Sequence, residues 1–392
     1  MTRDEYFQLK QKYANAGFEN MTDAEMSEFA RYSNTFSKLL DTVPLFGGDA
    51  LNPKPRMFYR MKHIRQADRN KIVSVKSGLN GVDGRIHGFN KGELSIISGT
   101  NGSGKSTWLS QIALEAATQG FSSVIFSGEL RAPQVKEWLM LQAAGRDNLV
   151  QDGWMYHVES AAREKIENWM NEKIYVYNND FGLAVKQIMK ALEYFTLIMD
   201  VDVIVLDNLM SMDLREYPGD KYEKQTALTM ELSNFAKKRN VHIFFVCHPR
   251  KSMGLLRKED ISGTADITNA ADNVLIVHRV NNDFKNRTMD FFKWKADAAI
   301  YNCSNVVEIC KNRDLGVQDV FAESYFDQPS KLFLNYRDEC RHYGWEPETQ
   351  KYEGRTPFDH SKHDTGSKTE ESAAHEKTGQ AVFNEPALEE IY

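Results

Sequence analysis

The sequence predicts an α/β fold with a mostly parallel central sheet and an antiparallel extension. Six short apolar runs between residues 93 and 279 alternate with longer segments of helical pattern. Near-continuous apolar strands separated by helices are typical of a parallel sheet that is covered on both faces. A glycine-rich loop directly follows the first run and precedes a helix. This combination predicts a P-loop nucleotide-binding core.

The elements of this core follow one another in a regular order. The predicted strands are ELSIISG, SSVIFSG, KIYVYN, DVIVLDN, HIFFVCH and NVLIVHR. The clearest helical segments are STWLSQIALEAATQG, FGLAVKQIMKALEYF and KQTALTMELSNFAKKRN. The antiparallel extension is predicted from four later runs without clear helices between them, DFFKWKADA, VVEICKNRD, DVFAESYF and KLFLNYR.

The core is predicted to span residues 77–340, between two flanking regions of different composition. Residues 1–76 begin with helical pattern, where Thr22 and Glu25 have capping-box spacing, and end in a basic segment at residues 54–76. That segment is interpreted either as a solvated linker or as a contact with nucleic acid or a neighbouring subunit. Residues 341–392 are rich in Glu, Ser, Thr, Lys and His and predict a flexible acidic tail.

Composition indicates a protein of a reducing compartment. Of the 392 residues, 41% are hydrophobic, and the net charge of −6 shows that the chain is not basic overall. The four cysteines have no CxxC pair and no zinc-ligand spacing, which favours reduced thiols. The first residues lack an apolar signal core, and no apolar run approaches ~18 residues. We therefore expect a cytoplasmic protein without membrane contact.

The glycine-rich loop is a complete G-x-x-x-x-G-K-[ST] motif. In such a loop, successive backbone N–H groups surround phosphate oxygens, and the following helix adds its dipole. Lys105 is expected to reach the β- and γ-phosphates, and Ser106 to hold Mg²⁺. The predicted nucleotide-binding residues of the loop are Gly99, Thr100, Asn101, Gly102, Ser103, Gly104, Lys105, Ser106 and Thr107.

Three further residues follow predicted strands and suit the chemistry of nucleotide hydrolysis. Asp207 ends an apolar strand at the Walker B position and is expected to face the metal, although a cap or turn would also explain it. Glu129 lies just beyond the strand after the P-loop helix, where a carboxylate can act as general base unless it is a surface residue. His248 ends the predicted strand that follows the Walker B strand, and it could sense the γ-phosphate or be a structural histidine.

The chain resembles the replicative ring helicases of superfamily four over about residues 77–336. The resemblance is greatest to the branch of phage primase-helicases and mitochondrial Twinkle, with DnaB more distant. It rests on segments that occur in the family's order, SGTNGSGKST, FSGEL, VLDNLMSM, VCHPRK, SGTADITNAADNVLIVHR and EICKNRD. It implies a RecA-like hexameric ring that hydrolyses ATP or dTTP with Mg²⁺ and moves 5′ to 3′ on single-stranded DNA, in the host cytoplasm if phage-encoded.

The resemblance also implies roles for residues that pattern alone leaves open. Arg313 matches an arginine finger that acts on the neighbouring subunit's site, and Lys311 matches its companion cation. Without the resemblance, both residues would be interpreted as solvated side chains at the edge of a strand. Arg279 and Phe326 match the pair that holds the nucleotide base. Without the resemblance, Phe326 would be interpreted as an aromatic residue of the core. Asn269 falls where the family has a phosphate-sensing Gln, and its shorter side chain makes that role less secure.

DNA and protein partners follow from the same resemblance. Arg250, Lys251, Arg257 and Lys258 fall on the segment that lines the central channel in the family, where cations bind DNA phosphates regardless of sequence. Arg257 and Lys258 could equally be ordinary surface charges. The predicted N-terminal helix is a candidate for the linker helix that packs on the adjacent subunit. The acidic tail is interpreted either as a docking segment for a DNA polymerase or primase, or as an inert solubilising tail.

Two other functions remain open at this point. One is a RecA- or RadA-type recombinase that forms a filament rather than a closed ring. The other is a RecA-like ATPase without motor activity, which switches a partner. The CHPRK segment and the Lys-x-Arg pair at residues 311–313 favour a hexameric helicase acting on single-stranded and forked DNA.

Overall fold

The computed structural model describes residues 72–249, 255–261 and 265–346, together with residues 8, 9, 12, 22, 24, 25, 28 and 29. The strands of the main body are β1 (Ser74–Val75), β2 (Phe89–Asn90), β3 (Leu94–Ser98), β4 (Ser123–Ser127), β5 (Leu149–Asp152), β6 (Met155–Val158), β7 (Ile174–Val176), β8 (Val203–Asp207), β9 (His242–Val246), β10 (Asn273–Arg279), β11 (Asn305–Asn312), β12 (Val320–Asp327) and β13 (Leu332–Leu334). The α-helices are α1 (Asn80–Ile86), α2 (Lys105–Thr118), α3 (Ala132–Ala144), α4 (Ser160–Met170), α5 (Val185–Ile198), α6 (Lys221–Arg239), α7 (Ala265–Ala270) and α8 (Asn282–Phe292).

Nine of these strands form one sheet in the order β13-β12-β11-β10-β3-β9-β8-β4-β7. The strands from β10 to β7 pair in parallel, whereas β10, β11, β12 and β13 pair antiparallel along the chain. The predicted parallel sheet with an antiparallel extension is therefore confirmed. All six predicted parallel strands are present, and β3, which carries the glycine-rich loop, lies between β9 and β10.

One predicted strand is wrong. The run DFFKWKADA, expected in the antiparallel extension, instead forms the last turn of α8 and an irregular segment after it. Phe292, the last residue of α8, packs against Trp294 and against Phe321 of β12. These ring contacts fix the end of the helix against the sheet. An aromatic run of this kind has high strand propensity, and the tertiary contacts override that propensity.

The parallel strands are mostly apolar because both faces of the sheet are covered. In β9, Phe244 and Val246 belong to the apolar core on one face, with Trp108 of α2. Ile243 and Phe245 belong to the core on the other face, with residues of α5 and α6. Successive strand side chains point to opposite faces, so each strand contributes to both cores.

Packed structure extends on both sides of residues 77–340. On one side, β1 pairs with β2. On the other side, the buried Arg341 binds Glu115 of α2, and the indole N–H of Trp345 donates to the Ala143 carbonyl oxygen at 2.7 Å. The predicted tail from residue 347 onward, and the basic segment up to residue 71, lie outside the described residues.

The predicted capping box near the N-terminus is confirmed. The Glu25 carboxylate accepts hydrogen bonds from the backbone N–H of Thr22 at 3.0 Å and from its hydroxyl at 2.8 Å, and the Glu25 backbone N–H donates to that hydroxyl at 3.3 Å. Phe29, a little further along this helical segment, is buried against Ile198 at the end of α5. None of the helices that the structure describes is long and apolar enough to cross a membrane.

A buried histidine at the start of β9 gives the fold a pH dependence that can be measured. His242 donates from Nδ1 to the Asn90 carbonyl oxygen at 2.7 Å, and its Nε2 lies 2.9 Å from the Ser95 hydroxyl. Burial lowers the pKa of His242 from 6.5 to about 4. Between these values the unfolded chain binds a proton that the folded chain does not, so stability is lost as pH falls through this window.

We expect the free energy of unfolding to fall between pH 6.5 and 4, with a contribution from His242 on the order of 3 kcal/mol. Urea titrations at pH 7.5 and 5.0 test this expectation. His242→Gln, which does not titrate, should reduce the difference between the two pH values. His157→Gln, at an exposed histidine on β6, is the control and should not reduce it. An unchanged pH difference in His242→Gln would contradict this assignment.

Candidate active site

The glycine-rich loop joins β3 to α2 and has the backbone conformation that its glycines allow. Gly99 and Gly104 have positive φ angles of 149° and 100°. A Cβ on Gly99 would lie 2.4 Å from the Val277 carbonyl oxygen, and a Cβ on Gly104 would lie 2.5 Å from the ring of Phe333. Any larger residue would therefore displace the loop from β10 and β13.

The strand β11 of the antiparallel extension also supports this loop. The side-chain amide of Asn305 donates to the Ser103 carbonyl oxygen at 2.9 Å. Ser103 is 1% exposed, and within the described part of the chain its hydroxyl has no hydrogen-bond partner. A buried hydroxyl without a partner, in a loop of backbone N–H groups, fits the binding of an anionic phosphate group.

Lys105 begins α2 and is buried beneath the loop. Its ammonium group donates to the carbonyl oxygens of Gly99 at 2.9 Å and Thr100 at 3.1 Å. Burial lowers the pKa of Lys105, while Asp207 and Glu129 act in the opposite direction. The two carboxylates therefore help to keep the buried ammonium group charged.

Asp207 ends β8 and faces the start of α2. It is 4% exposed, and burial raises its pKa, whereas a hydrogen bond from the Ser106 hydroxyl acts to lower it. A buried carboxylate and a hydroxyl in contact are oxygen ligands of the type that Mg²⁺ prefers, together with phosphate oxygens. The two predicted metal ligands thus lie next to each other and fit a magnesium–nucleotide complex.

Glu129 and His248 meet at the same edge of the sheet. Nε2 of His248 lies 3.4 Å from Oε1 of Glu129. The Glu129 side chain is about half exposed, at 55%, which leaves it accessible to water. Asn208, which follows Asp207, lies between them and hydrogen-bonds to both side chains.

Most of these residues, although not Gly99 or Asn208, line one large cleft of about 1230 Å³ at the carboxyl edge of the parallel strands. Ligand sites in open α/β sheets form at this edge. The cleft contains most of the predicted nucleotide-binding and catalytic residues. Its lining comprises residues 100–107 of the loop, Glu129, Trp138, Asp207, Met210, His248, Pro249, Arg279, Val280, Ser304, Asn305, Phe326, Gln328 and Phe333.

The two predicted base-binding residues lie in this cleft at the ends of the two strands on either side of β11. Arg279 ends β10 and is exposed, and Phe326 lies near the end of β12 with 39% exposure. Phe326 contacts Phe333 at a centroid distance of 5.5 Å. An exposed ring supported from one side does not fit the core-aromatic interpretation, and one of its faces can receive a base.

Asn269, Lys311 and Arg313 lie at the opposite edge of the sheet and do not line the cleft. Lys311 donates to the carbonyl oxygens of Thr268 at 2.9 Å and Ala271 at 2.8 Å, around the end of α7. Arg313 donates to the Asp272 carboxylate and to the Asn269 carbonyl oxygen, both at 2.6 Å. The structure thus brings these three residues together, away from the glycine-rich loop of the same chain.

The predicted DNA-binding residues are only partly described. Arg250 and Lys251 lie outside the described residues. Arg257 binds the buried carboxylate of Glu308 and donates to Asp319 at 2.7 Å, with its guanidinium 5.2 Å from the ring centre of Phe292. Such an environment holds Arg257 inside its own chain, and its role in DNA binding stays a prediction. Lys258 is half-buried at the start of a short 3₁₀ helix, Lys258–Asp260.

Sequence reasoning missed several residues of the cleft. Trp138 comes from α3, Gln328 follows β12, and Asn305 begins β11. Asn208 stands next to the predicted metal ligand, and this adjacency was the only signal of its position in the sequence. The other three lie near predicted residues along the chain but belong to none of the recognised motifs, so no spacing rule points to them.

Comparison with known proteins identifies the family. The sequence model of the DnaB-like helicase C terminal domain matches residues 74–331, which is more than half of the chain. The chain belongs to this family. The match includes the glycine-rich loop, Asp207, His248 and the antiparallel strands β11 and β12, and it ends just before β13.

Curated relatives are similar at low identity. A Twinkle homolog protein of Arabidopsis thaliana, chloroplastic or mitochondrial, is 22% identical over 215 residues, 52% of this chain and 30% of that protein. The DNA helicase/primase of Enterobacteria phage T3 is 23% identical over 52% of this chain and 38% of its own length. The DNA repair protein RadA of Helicobacter pylori is 24% identical over 60% of this chain and 46% of its own length. The chain thus spans less than half the length of each of these relatives.

Solved structures agree on the fold. One solved ATPase domain has a TM-score of 0.54 at 14% identity and covers 69% of this chain and 93% of that domain. A DnaB-like replicative helicase, studied with its interactions with primase, has the same TM-score and identity over 68% of this chain and 62% of its own. At this identity the likeness shows the fold alone, which is RecA-like, as the resemblance implied.

Proposed function

We propose that this chain is the motor domain of a hexameric replicative DNA helicase, which hydrolyses ATP or dTTP to move 5′ to 3′ on single-stranded DNA and to unwind duplex DNA. The observation that carries the proposal is the separation of two sets of residues. The nucleotide-binding loop, Asp207, Glu129 and His248 share one cleft, whereas Lys311 and Arg313 lie at the other edge of the sheet.

Within the cleft, each residue has a task that its position supports. Backbone N–H groups of residues 100–106 and the Lys105 ammonium group bind the phosphates, while Ser106 and Asp207 hold Mg²⁺. The metal–nucleotide complex supplies a γ-phosphoryl group whose charge the loop and the metal neutralise. Glu129 orients the attacking water and accepts its proton. Arg279 and Phe326 hold the base by stacking, which tolerates more than one base.

A second chain is required because Arg313 cannot reach the phosphates of its own chain. Asn305 contacts the glycine-rich loop at one end of β11, and Arg313 follows the other end at Asn312. At ~3.3 Å per residue the two ends lie about 23 Å apart. An arginine finger on this edge therefore acts on a neighbouring subunit, as in a ring in which each site lies between two chains.

Coupling to DNA is proposed to run through His248. This residue lies beside Glu129, and the chain continues from it through Pro249 to Arg250 and Lys251, which we propose bind DNA phosphates. Lys258 is proposed to assist on the same segment. The predicted helix near residues 22–43 is proposed to pack on the adjacent subunit, and the acidic tail to contact a DNA polymerase or primase in the cytoplasm.

Unwinding of forked DNA tests the proposal directly. We expect nucleotide-dependent strand displacement on a fork with a 5′ single-stranded arm, and hydrolysis that increases when single-stranded DNA is added. Glu129→Gln should lower hydrolysis by about 10²- to 10⁴-fold while nucleotide binding persists, because it removes only the general base. Hydrolysis that is indifferent to DNA, or a wild-type protein that displaces no strand, would overturn the proposal.

A second candidate is a filament-forming recombinase, and a DNA repair protein is among the relatives that this chain matches. Such a protein would pair a single strand with a homologous duplex and would not displace the strand of a non-homologous fork. Electron microscopy of the nucleotide-bound protein separates the two candidates as well, because a recombinase forms open helical filaments and the proposed helicase forms closed rings.

A further inference from the structure

The side-chain amide of Asn208 joins the proposed general base to the proposed phosphate sensor. Its Nδ2 donates one hydrogen bond to Oε1 of Glu129 and lies 2.8 Å from Nε2 of His248. Asn208 is 2% exposed, so its amide group is shielded from bulk water. Three chain segments that follow β4, β8 and β9 thus meet at one amide group.

The orientation of this amide is fixed by the backbone. Oδ1 of Asn208 accepts hydrogen bonds from the backbone N–H groups of Met210 at 2.8 Å and Ser211 at 3.2 Å. These bonds cap the 3₁₀ helix Leu209–Ser211. Because the oxygen is held by two N–H donors, the –NH₂ group is the part that faces Glu129 and His248.

This orientation determines which atoms of Glu129 and His248 accept hydrogen bonds from the amide group. An –NH₂ group donates and does not accept, so Nε2 of His248 is the acceptor and carries no proton. Glu129 accepts the second amide proton through one carboxylate oxygen, which leaves its other oxygen available for water.

A tight contact holds the capped turn against the strand end that carries Glu129. A Cβ on Gly128 would lie only 1.8 Å from the hydroxyl oxygen of Ser211. The Gly128 backbone N–H also donates to the Asp207 carbonyl oxygen at 2.6 Å. The turn that orients Asn208 and the residue before Glu129 are thus fixed to each other.

We propose that Asn208 is a positioning residue for nucleotide hydrolysis, which holds Glu129 in its working orientation and links it to His248. This inference rests on the hydrolysis proposed above and assigns no contact between Asn208 and the nucleotide. When His248 moves in response to the γ-phosphate, the shared amide transmits that movement to Glu129. The same link transmits a movement of Pro249, which precedes the proposed DNA-binding residues Arg250 and Lys251, to the general base Glu129.

Two substitutions separate the amide donor from the turn cap. Asn208→Asp keeps the oxygen that caps Met210 and Ser211 but replaces the donor with a carboxylate oxygen. Asn208→Ala removes both. Asn178→Ala is a matched control, since Asn178 follows β7, caps the 3₁₀ helix Asn179–Phe181 in the same way at 3.0 Å, and lies outside the cleft.

Hydrolysis without DNA, binding of a fluorescent nucleotide analogue, and the thermal midpoint are to be measured for each variant. We expect Asn208→Asp and Asn208→Ala to lower kcat by about 100-fold, the lower range for loss of a general base, with the Kd changed less than ~3-fold. We also expect the Nε2 chemical shift of His248 to differ between the wild type and Asn208→Ala, because the variant removes the amide group that contacts this nitrogen at 2.8 Å. Asn178→Ala should match the wild type in kcat.

A wild-type kcat in Asn208→Asp would overturn the inference, because the cap alone would then suffice. A parallel loss of kcat, nucleotide affinity and thermal midpoint in both variants would also overturn it, since that pattern is expected of a purely structural residue. Both of these outcomes are measured on hydrolysis in the absence of DNA. A wild-type protein that hydrolyses nucleotide but fails to unwind a fork therefore overturns the proposed function and not the role of Asn208.

Discussion

Arg313→Ala is expected to lower DNA-stimulated hydrolysis by about 10³-fold or more, the range seen when an arginine finger is removed. The reason is charge stabilisation on the transferring phosphoryl group of the neighbouring chain. The fold itself should change little, because the Arg313 side chain is 47% exposed and its ion pair with Asp272 is worth at most about 1 kcal/mol.

Measurement of kcat with and without DNA, together with a urea titration, separates a loss of catalysis from a loss of stability. Arg215→Ala is the control, since this arginine is 89% exposed and pairs with the nearby Asp213. It should leave both quantities within experimental scatter of the wild type. A kcat for Arg313→Ala close to that of Arg215→Ala would argue against a finger at this position.

Arg341→Met is expected to lower the free energy of unfolding by about 3–5 kcal/mol, because it leaves buried carboxylates without their cation. The Arg341 side chain is 3% exposed, donates to Glu115 at 3.0 Å and Glu339 at 2.9 Å, and also donates to the Gly78 carbonyl oxygen at 2.6 Å. Burial raises the pKa of Glu115 to about 7 even with the arginine present. The loss should therefore be larger at pH 8 than at pH 5.5, where the carboxyl group of Glu115 is protonated.

Urea titrations at the two pH values check this expectation. Arg337→Met, at an exposed arginine four residues away, should cost less than about 1 kcal/mol. Adding Glu115→Gln to Arg341→Met should restore part of the stability, since it removes one uncompensated charge. Equal stability of Arg341→Met and Arg337→Met would show that the buried ion pairs do not anchor the segment after β13.

The sequence predicts the parallel part of the fold well because burial on both faces imposes a local pattern. Phe244 and Phe245 point to opposite cores, so β9 is apolar from Ile243 to Val246 and is recognisable without tertiary information. The glycine-rich loop is recognisable for a similar reason, since Gly99 and Gly104 meet backbone or ring atoms that exclude a Cβ. Both constraints act over a few consecutive residues.

Features that depend on contacts between distant segments could not be predicted in the same way. Arg257 looks like a free cation in the sequence, but Glu308 and Asp319 bind it from residues more than fifty positions away. Asn208 gains its partners only when three strand ends meet. The run at residues 290–298 has strand-like composition, yet the packing of Phe292 against Phe321 favours a helix end.

The central claim is that each hydrolytic site is shared between two chains, and mixing two inactive variants tests it most directly. Lys105→Ala removes phosphate binding but keeps Arg313, whereas Arg313→Ala keeps the complete cleft. In a random 1:1 mixture about a quarter of the interfaces pair an intact cleft with an intact finger. We predict that DNA-stimulated hydrolysis, nearly absent in each variant alone, returns to about that fraction of the wild-type value. A mixture that stays as inactive as its components, although the chains assemble together, would contradict the claim.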